Sequence, residues 1–495
     1  MIRRGSNKSK ENPQASSIRE ALETLKKSTD FVFYKKERGN VPYVISYFSS
    51  IVNAEIIHKD ILPYIQEMQQ VKDLKEKVPI EEIIDVTQPK DLLEKLPLGY
   101  VYIYFPESAH LGVLIPAKKD EKRSIAPPEV EFSVVGPKES FIESLDTNIY
   151  LVRKRLPIEN LRVEKITIGD LSNTEMALLY IEDIADKENV NTLKQRLDDI
   201  DFDAIGDSAY ISQIIADNQR SPFPQILDTE RPDRTATALA EGKLAILVDR
   251  SPHALIGPTT FIESISTFED YLLNWYAASF IRIVRMASIA FSILITPIYV
   301  ATLTYHYELI PKDLLATLIT SRRVIPLPPI LEALFLELTI ELLREAGARL
   351  PTKVGQTIGI VGGIVIGTAS VEAGLTSNVL LIMVALAALA SFTTPTYQFG
   401  NTIRILRFPF LLFAHAWGMV GIVLAFSVLA AHMLQLTSLG RPYLEPFYPT
   451  RVRDLKDTFI RMPFSKLSRR PVHNQPDDKV RFKPKDKRIH RDIDE

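Results

Sequence analysis

Four carboxylates, Glu332, Glu337, Glu341 and Glu345, stand among leucines in a stretch that opens on Pro326, Pro328 and Pro329. At 100° per residue, Glu337, Glu341 and Glu345 share one helical stripe, with Arg344 beside it and Glu332 offset. An ionised carboxylate costs about 3 kcal/mol or more at the centre of a bilayer, so such a stripe must meet water, a partner charge or a cavity. Three arrangements meet that demand. Several copies around an axis would form acidic rings that attract cations; an amphipathic helix could rest its carboxylates on the headgroups; or the acids could be salt-bridged inside the fold. The four glutamates are candidate pore-lining residues. Pro326, Pro328, Pro329 and Glu372 are candidate gating or interface positions, Glu372 being either a headgroup-level residue or a buried acid.

Gly355, Gly359, Gly363 and Gly367 recur every four residues and clear one helix face of side chains, so that another backbone can approach. Packing within one chain and contact between chains both fit that ladder. His415 and His432 have no companions at ligand spacing and read as packing or interfacial hydrogen bonders, not metal ligands. The chain has no cysteine, which excludes disulfides and thiolate chemistry. Phosphate-binding loops, zinc-protease motifs and nucleophile elbows are also missing from the sequence. No catalytic residue, metal, cofactor or nucleic-acid partner is expected. Ser221-Pro-Phe-Pro-Gln and Thr229-Glu-Arg-Pro-Asp-Arg234 are turn-rich and polar, either rigid surface loops or docking surfaces for another subunit. Asp249-Arg-Ser-Pro-His253 reads as a turn after a strand.

The elements that must position these residues fall into two unlike halves. Overall values of 46% hydrophobic and 24% charged residues average a charge-rich stretch ending at Arg285 and an almost uncharged one from Met286 to Leu436. The net charge of -2 therefore says little about partners. The basic, polar start lacks the apolar region of a secretory signal, which places the first half in the cytoplasm. Residues 1–17 read as a disordered arm. After it, periodicity predicts helices at Ile18–Leu25, His58–Lys77, Val190–Asp198 and Ser208–Ile215. Strands are predicted at Tyr43–Ile51, Gly99–Phe105, Ile149–Arg155, Met176–Ile181 and Leu244–Val248, with a charged loop over Ala117–Pro128. The fold class is mixed: a soluble α/β domain of two subdomains, 18–155 and 156–280, and then an all-α transmembrane domain, 281–440, with one partial or re-entrant helix.

Met286–Tyr305 is long enough for the roughly 30 Å hydrocarbon core. Gly355–Val371 and Val379–Tyr397 are further spans, and Phe408–Leu436 either spans with strong tilt or divides in two. The segment Val324–Leu343, broken by prolines and glutamates, reads as the partial helix. Arg282 and Arg285 precede the first span, and about fifteen lysines and arginines follow Leu436, in a basic tail over 441–495 whose distal part from about Phe464 is disordered or lies on anionic lipid. Both ends inside gives four crossings. Should the proline-led segment cross fully, the last run must double back.

Several segments together resemble the A subunits of GerA-family spore germinant receptors. They include Pro328-Pro-Ile-Leu-Glu-Ala-Leu, Leu343-Arg-Glu-Ala-Gly, Gly355-Gln-Thr-Ile-Gly-Ile-Val-Gly-Gly, Val371-Glu-Ala-Gly and Ile403-Arg-Ile-Leu-Arg-Phe-Pro. Ser221-Pro-Phe-Pro-Gln, Thr229-Glu-Arg-Pro-Asp-Arg and Gly242-Lys-Leu-Ala-Ile-Leu-Val-Asp are similar to the family in the soluble half. Leu272-Leu-Asn-Trp-Tyr departs from its Tyr-rich approach to the first span. The resemblance implies a multi-pass protein of the spore inner membrane with soluble half and tail facing the spore core. It also implies a permease-like B subunit and a lipoprotein C subunit as partners, a homo-oligomer in lipid, and a ligand-gated cation channel. A solute transporter and a non-conducting signalling scaffold are the competing readings.

Overall fold

The computed structural model describes residues 17–36, 42–65, 78–80, 82–105, 112–119, 128, 131, 135–350, 352–455 and 457–482. Residues 1–16, most of the Ala117–Pro128 loop, residues 66–77 of the expected charged helix and 483–495 lie outside that set. The chain divides into two units: one of residues up to Ala216, Ile226–Pro258 and from Leu467 onward, the other of Asp217–Gln225 and Thr259–Lys466.

The first unit holds two five-stranded sheets. One comprises β1 (Phe31–Lys36), β2 (Tyr43–Phe48), β3 (Ile84–Val86), β4 (Tyr100–Tyr104) and β5 (Gly112–Pro116), in the order β1-β2-β4-β5-β3. The other comprises β6 (Leu161–Ile168), β7 (Thr174–Ile181), β8 (Leu227–Thr229), β9 (Leu244–Val248) and β10 (Ala254–Gly257), in the order β6-β7-β9-β10-β8. The two orders are one pattern used twice. All the described pairings in these sheets are antiparallel, so this is one antiparallel strand order repeated, not the parallel sheet that βαβ units would build. The central strands β4 and β9 are buried at every position, which is why both read as unbroken apolar runs.

Helices α1 (Ile18–Leu25), α2 (Pro89–Lys95), α3 (Leu145–Arg155), α4 (Lys187–Asp198), α5 (Ser208–Ile214) and α6 (Pro232–Ala240) cover the sheets. The α3 segment was expected to be a strand from Ile149. It is a helix because Leu145, Ile149 and Val152, at spacings of four and three, pack one face against the second sheet. The two sheets meet around a buried ion pair. Arg153 of α3 donates from Nε and Nη2 to the two oxygens of Asp30 at 2.6 and 2.7 Å, and Ser28 and Ser50 donate to the same carboxylate at 2.7 and 2.6 Å. Thr29 N–H also bonds the Val163 carbonyl of β6 at 2.8 Å. Burial pushes the Asp30 carboxyl up, but Arg153 and the two serines outweigh it and hold it below the usual carboxylate range.

The tail expected from Phe464 to be disordered or to lie on anionic lipid is described through Phe482, and from Leu467 it belongs to this unit. Arg470 Nε caps the Ala240 carbonyl at the end of α6 at 2.8 Å, Asn474 bonds the Glu241 carbonyl at 3.1 Å, and Asp477 N–H bonds the Ile184 carbonyl at 3.0 Å. An arginine at a helix C-terminus satisfies orphan carbonyls and opposes the helix dipole.

The second unit is helical: α7 (Trp275–Thr304), α8 (Lys312–Arg322), α9 (Pro329–Arg349), α10 (Thr352–Glu372), α11 (Asn378–Ser391) and α12 (Tyr397–Gln435). Two of these, α7 and α12, are long and apolar enough to cross a membrane. The proline-led segment forms a continuous 21-residue helix, which Pro328 caps and Pro329 opens. The last run does double back. A straight 39-residue helix would be about 58 Å long, yet Phe399 near its start and His432 near its end both lie within 6.3 Å of the Phe223 ring. The turn is at Gly418, with φ 59° and ψ -138°, a conformation open to glycine. A Cβ there would press on His306 at 2.8 Å, and one at Gly421 would run into the Phe413 carbonyl. Among the described residues the unit thus contains α7 to α11 and the two legs of α12.

Candidate functional site

The predicted acidic stripe lies on α9, and the structure separates its members. Glu337 is 1% exposed and paired with Arg407 of the first α12 leg, itself 1% exposed. Thr296 of α7 donates to the same carboxylate at 3.0 Å, and the Arg407 guanidinium also donates to Ser292 Oγ at 2.8 Å. Four helices therefore converge on one charge pair, since Arg407 also reaches the Ala387 carbonyl of α11 at 3.4 Å. Glu332, fully buried, is met by Arg322 of α8 at 2.8 Å. Glu341 lies between Arg344 and Arg404, each at 3.4 Å. Glu345 is 63% exposed and pairs along its own helix with Arg349.

The stripe is thus answered by partner charges, and two of the four expected pore-lining acids, Glu332 and Glu337, do not face open solvent within the chain. Sequence reasoning missed Arg404 and Arg407. Their signal was two cations three residues apart entering an apolar run, a pattern that demands anions on a neighbouring helix.

The glycine ladder divides as well. The surroundings of Gly355 and Gly359 lie outside the described residues. A Cβ at Gly367 would rest at ordinary contact on Leu381, while one at Gly363 would meet nothing within 4 Å. The close approach of α10 to α9 uses Gly362 instead, one residue off the ladder, where a Cβ would press on Leu343 at 2.9 Å. Pro326 and Pro328 are exposed, Pro329 is half-buried, and Glu372 is exposed at the end of α10.

A second polar cluster anchors the start of α7. Arg282 and Arg285 are buried and converge on Asp270 at 3.3 and 3.1 Å. Burial raises the Asp270 carboxyl, but Arg285, Thr267 and Arg282 together hold it below its ordinary value. These two arginines are internal ion-pair partners at the start of α7.

The Ser221-Pro-Phe-Pro-Gln stretch is neither a surface loop nor a free docking face. Residues 217–225 are built into the helical unit, with Phe223 buried among the rings of Phe399, His432 and Tyr443. Ser221 Oγ and His432 Nε2 are 2.9 Å apart, Thr402 donates to the Pro222 carbonyl, and Asp217 accepts from the backbone N–H groups of Leu439 and Gly440 at 2.9 and 2.8 Å. His432 is the hydrogen bonder expected of it, whereas His415 is exposed. Residues 229–234 are likewise internal to the first unit, where Arg231 and Asp233 form a buried pair at 2.7 Å.

A family model described as Bacillus/Clostridium GerA spore germination protein matches residues 19–473. Spore germination protein GerQA of Bacillus cereus is 50% identical over 472 residues, covering 95% of this chain and 95% of that protein. Spore germination protein GerIA of the same organism is 46% identical, covering 94% of this chain and 70% of that protein. Among solved structures, the N-terminal domain of the A subunit of the Bacillus megaterium spore germinant receptor GerK3 matches 49% of this chain and 92% of that one at 28% identity, with a TM-score of 0.37.

Proposed function

The chain belongs to the GerA family of spore germination proteins, and from that premise we propose that it is the A subunit of a nutrient germinant receptor whose copies assemble in the spore membrane around a cation path. Six legs, α7, α9, α10, α11 and the two of α12, thread the bilayer, the first unit and the tail face the spore core, and a permease-like B subunit and a lipoprotein C subunit complete the receptor. At 14 residues, α11 is about 21 Å long and crosses only with its flanking loops enclosed in protein.

The observation that carries this reading is the open flank of α9 and α10. Leu338, Leu342 and Ile364 are exposed there, and among the described residues a Cβ at Gly363 would meet nothing within 4 Å. A face of small and apolar residues that the protomer leaves unused suits contact with a second copy in lipid. On the same helix, Glu341 and Glu345 retain access to water and supply the negative field that a cation path requires. Nutrient binding to a partner opens such a path only through differential affinity for the open state.

Reconstitution of the purified chain in liposomes tests this. Passive potassium conductance with cation preference is expected, weakened in Glu341→Gln and Glu345→Gln while the assembled mass is unchanged. A monomer by mass photometry that passes no salt would remove the conduction reading. The alternative, a non-conducting signalling scaffold, is favoured by one observation: Glu332 and Glu337 are both neutralised inside the protomer. An intact oligomer without conductance would select it.

A further inference from the structure

At the end of the helical unit away from residues 217–225, a cavity of about 240 Å³ lies where α7, α8 and α11 meet. Its wall is nearly all hydrocarbon: Ile295 and Ile298 of α7, Leu314 and Leu318 of α8, and Met383 of α11. Such a wall offers water too few partners. An apolar cavity of about 150 Å³ already stays dry and takes up small hydrocarbons. Packing does not close this one, because no residue of α8 is buried.

Three lining residues carry hydroxyls, Tyr299, Thr302 and Thr317; that of Tyr299 is engaged by Ser377 Oγ at 3.1 Å, and no Asp, Glu, Lys, Arg or His is among the lining residues. Thr302 donates its hydrogen to the Ile298 carbonyl at 2.7 Å, so towards the cavity its oxygen can only accept. We propose that the cavity binds one short unbranched alkyl chain with a neutral hydroxyl head, an alkanol-sized amphiphile whose O–H donates to Thr302. Size fixes the occupant. The space exceeds the ~150 Å³ cavity that takes benzene, a six-carbon ring, and so suits a chain of about eight carbons. A charged head would find no counter-ion and would stay outside.

The inference is independent of whether copies conduct. Its test uses the full-length chain in lipid nanodiscs, photolabelled with an octanol bearing a diazirine, with adducts mapped by mass spectrometry. Saturable labelling on Ile298, Leu318 and Met383 is expected. Competition by unlabelled 1-alkanols should tighten about fourfold per carbon and stop tightening near octanol. Leu318→Trp, which fills the space, should cut labelling at least tenfold. Met383→Ala should move the cut-off to longer chains, and Leu386→Trp, on the exposed side of α11, should change nothing. Labelling that never saturates, or that persists in folded Leu318→Trp, overturns the site. So does a diazirine-tailed lipid that labels the same residues and is not displaced by octanol, because the space would then belong to the bilayer.

Discussion

Two arginine–carboxylate pairs, Arg153–Asp30 in the first unit and Arg407–Glu337 in the second, are equally buried, with all four side chains 1% exposed, yet their surroundings differ. Asp30 is bidentate to its arginine, takes two serine hydroxyls, and sits where the two sheets join. Glu337 has its arginine and one threonine, amid helices whose other side chains are mostly aliphatic. A buried pair is costly to desolvate, and what it contributes is registry more than stability. The first pair fixes one sheet against another through a network. The second pins four helices through little more than itself.

The comparison is broken most forcefully by removing one partner. Arg407→Leu leaves Glu337 charged and unpaired, and about 3–5 kcal/mol of stability should be lost, seen as a collapse in the yield of monodisperse detergent-solubilised protein. Asp30→Ala should cost the first unit a similar ~3–5 kcal/mol in denaturant unfolding. The double replacements then sharpen the contrast. Glu337→Leu with Arg407→Met should recover most of the loss, because the freed hydroxyls of Ser292 and Thr296 sit inside α7 and can turn to carbonyls four residues back, whereas Asp30→Leu with Arg153→Met should not, because Ser28 and Ser50 stay buried without their acceptor. Equal recovery in both units would erase the distinction drawn here.

Gly418→Ala tests whether the fold-back that returns the second leg of α12, with His432, to Phe223 is itself fragile. An L side chain at that φ, facing His306, should cost about 1–3 kcal/mol and lower the thermal midpoint. Acid should reach the first unit through Asp30. Its carboxyl is held low in the folded state, so the stability it contributes is complete above the unfolded value of about 3.9 and disappears as pH falls through the lower folded value. Melting curves flat from pH 7 to 5 and falling steeply below about pH 4 are expected, and Asp30→Asn should flatten that fall. The smallest effect belongs to Glu345→Gln, which loses only an exposed pair within its helix and should shift stability by no more than ~0.5 kcal/mol.

Much of this was legible in the sequence where burial is simple. Leu244–Val248 and Tyr100–Tyr104, central in their sheets and covered on both faces, announced themselves as strands. The helix at Ile18–Leu25 was legible from its period, although Ser17, which composition assigns to the arm, is its N-cap. Ile149–Arg155 was misread because an Ile-Tyr-Leu-Val run has strand composition, and only its packing partners in the second sheet decide for helix. The demand of the α9 carboxylates for partners was visible; the identity of the partner was not. Arg407 lies 70 positions away, on an apolar leg whose packing against α9 hydropathy does not specify.

The docking of residues 467–482 on the turn after α6 bears on how this protein can be cut. Any fragment that stops before α7 would expose the carbonyls of Ala240, Glu241 and Ile184 that Arg470, Asn474 and Asp477 serve in the intact chain. A soluble piece taken from the first half alone is therefore an unfinished object, lacking a closing strip that the gene supplies only after all the helices have been made.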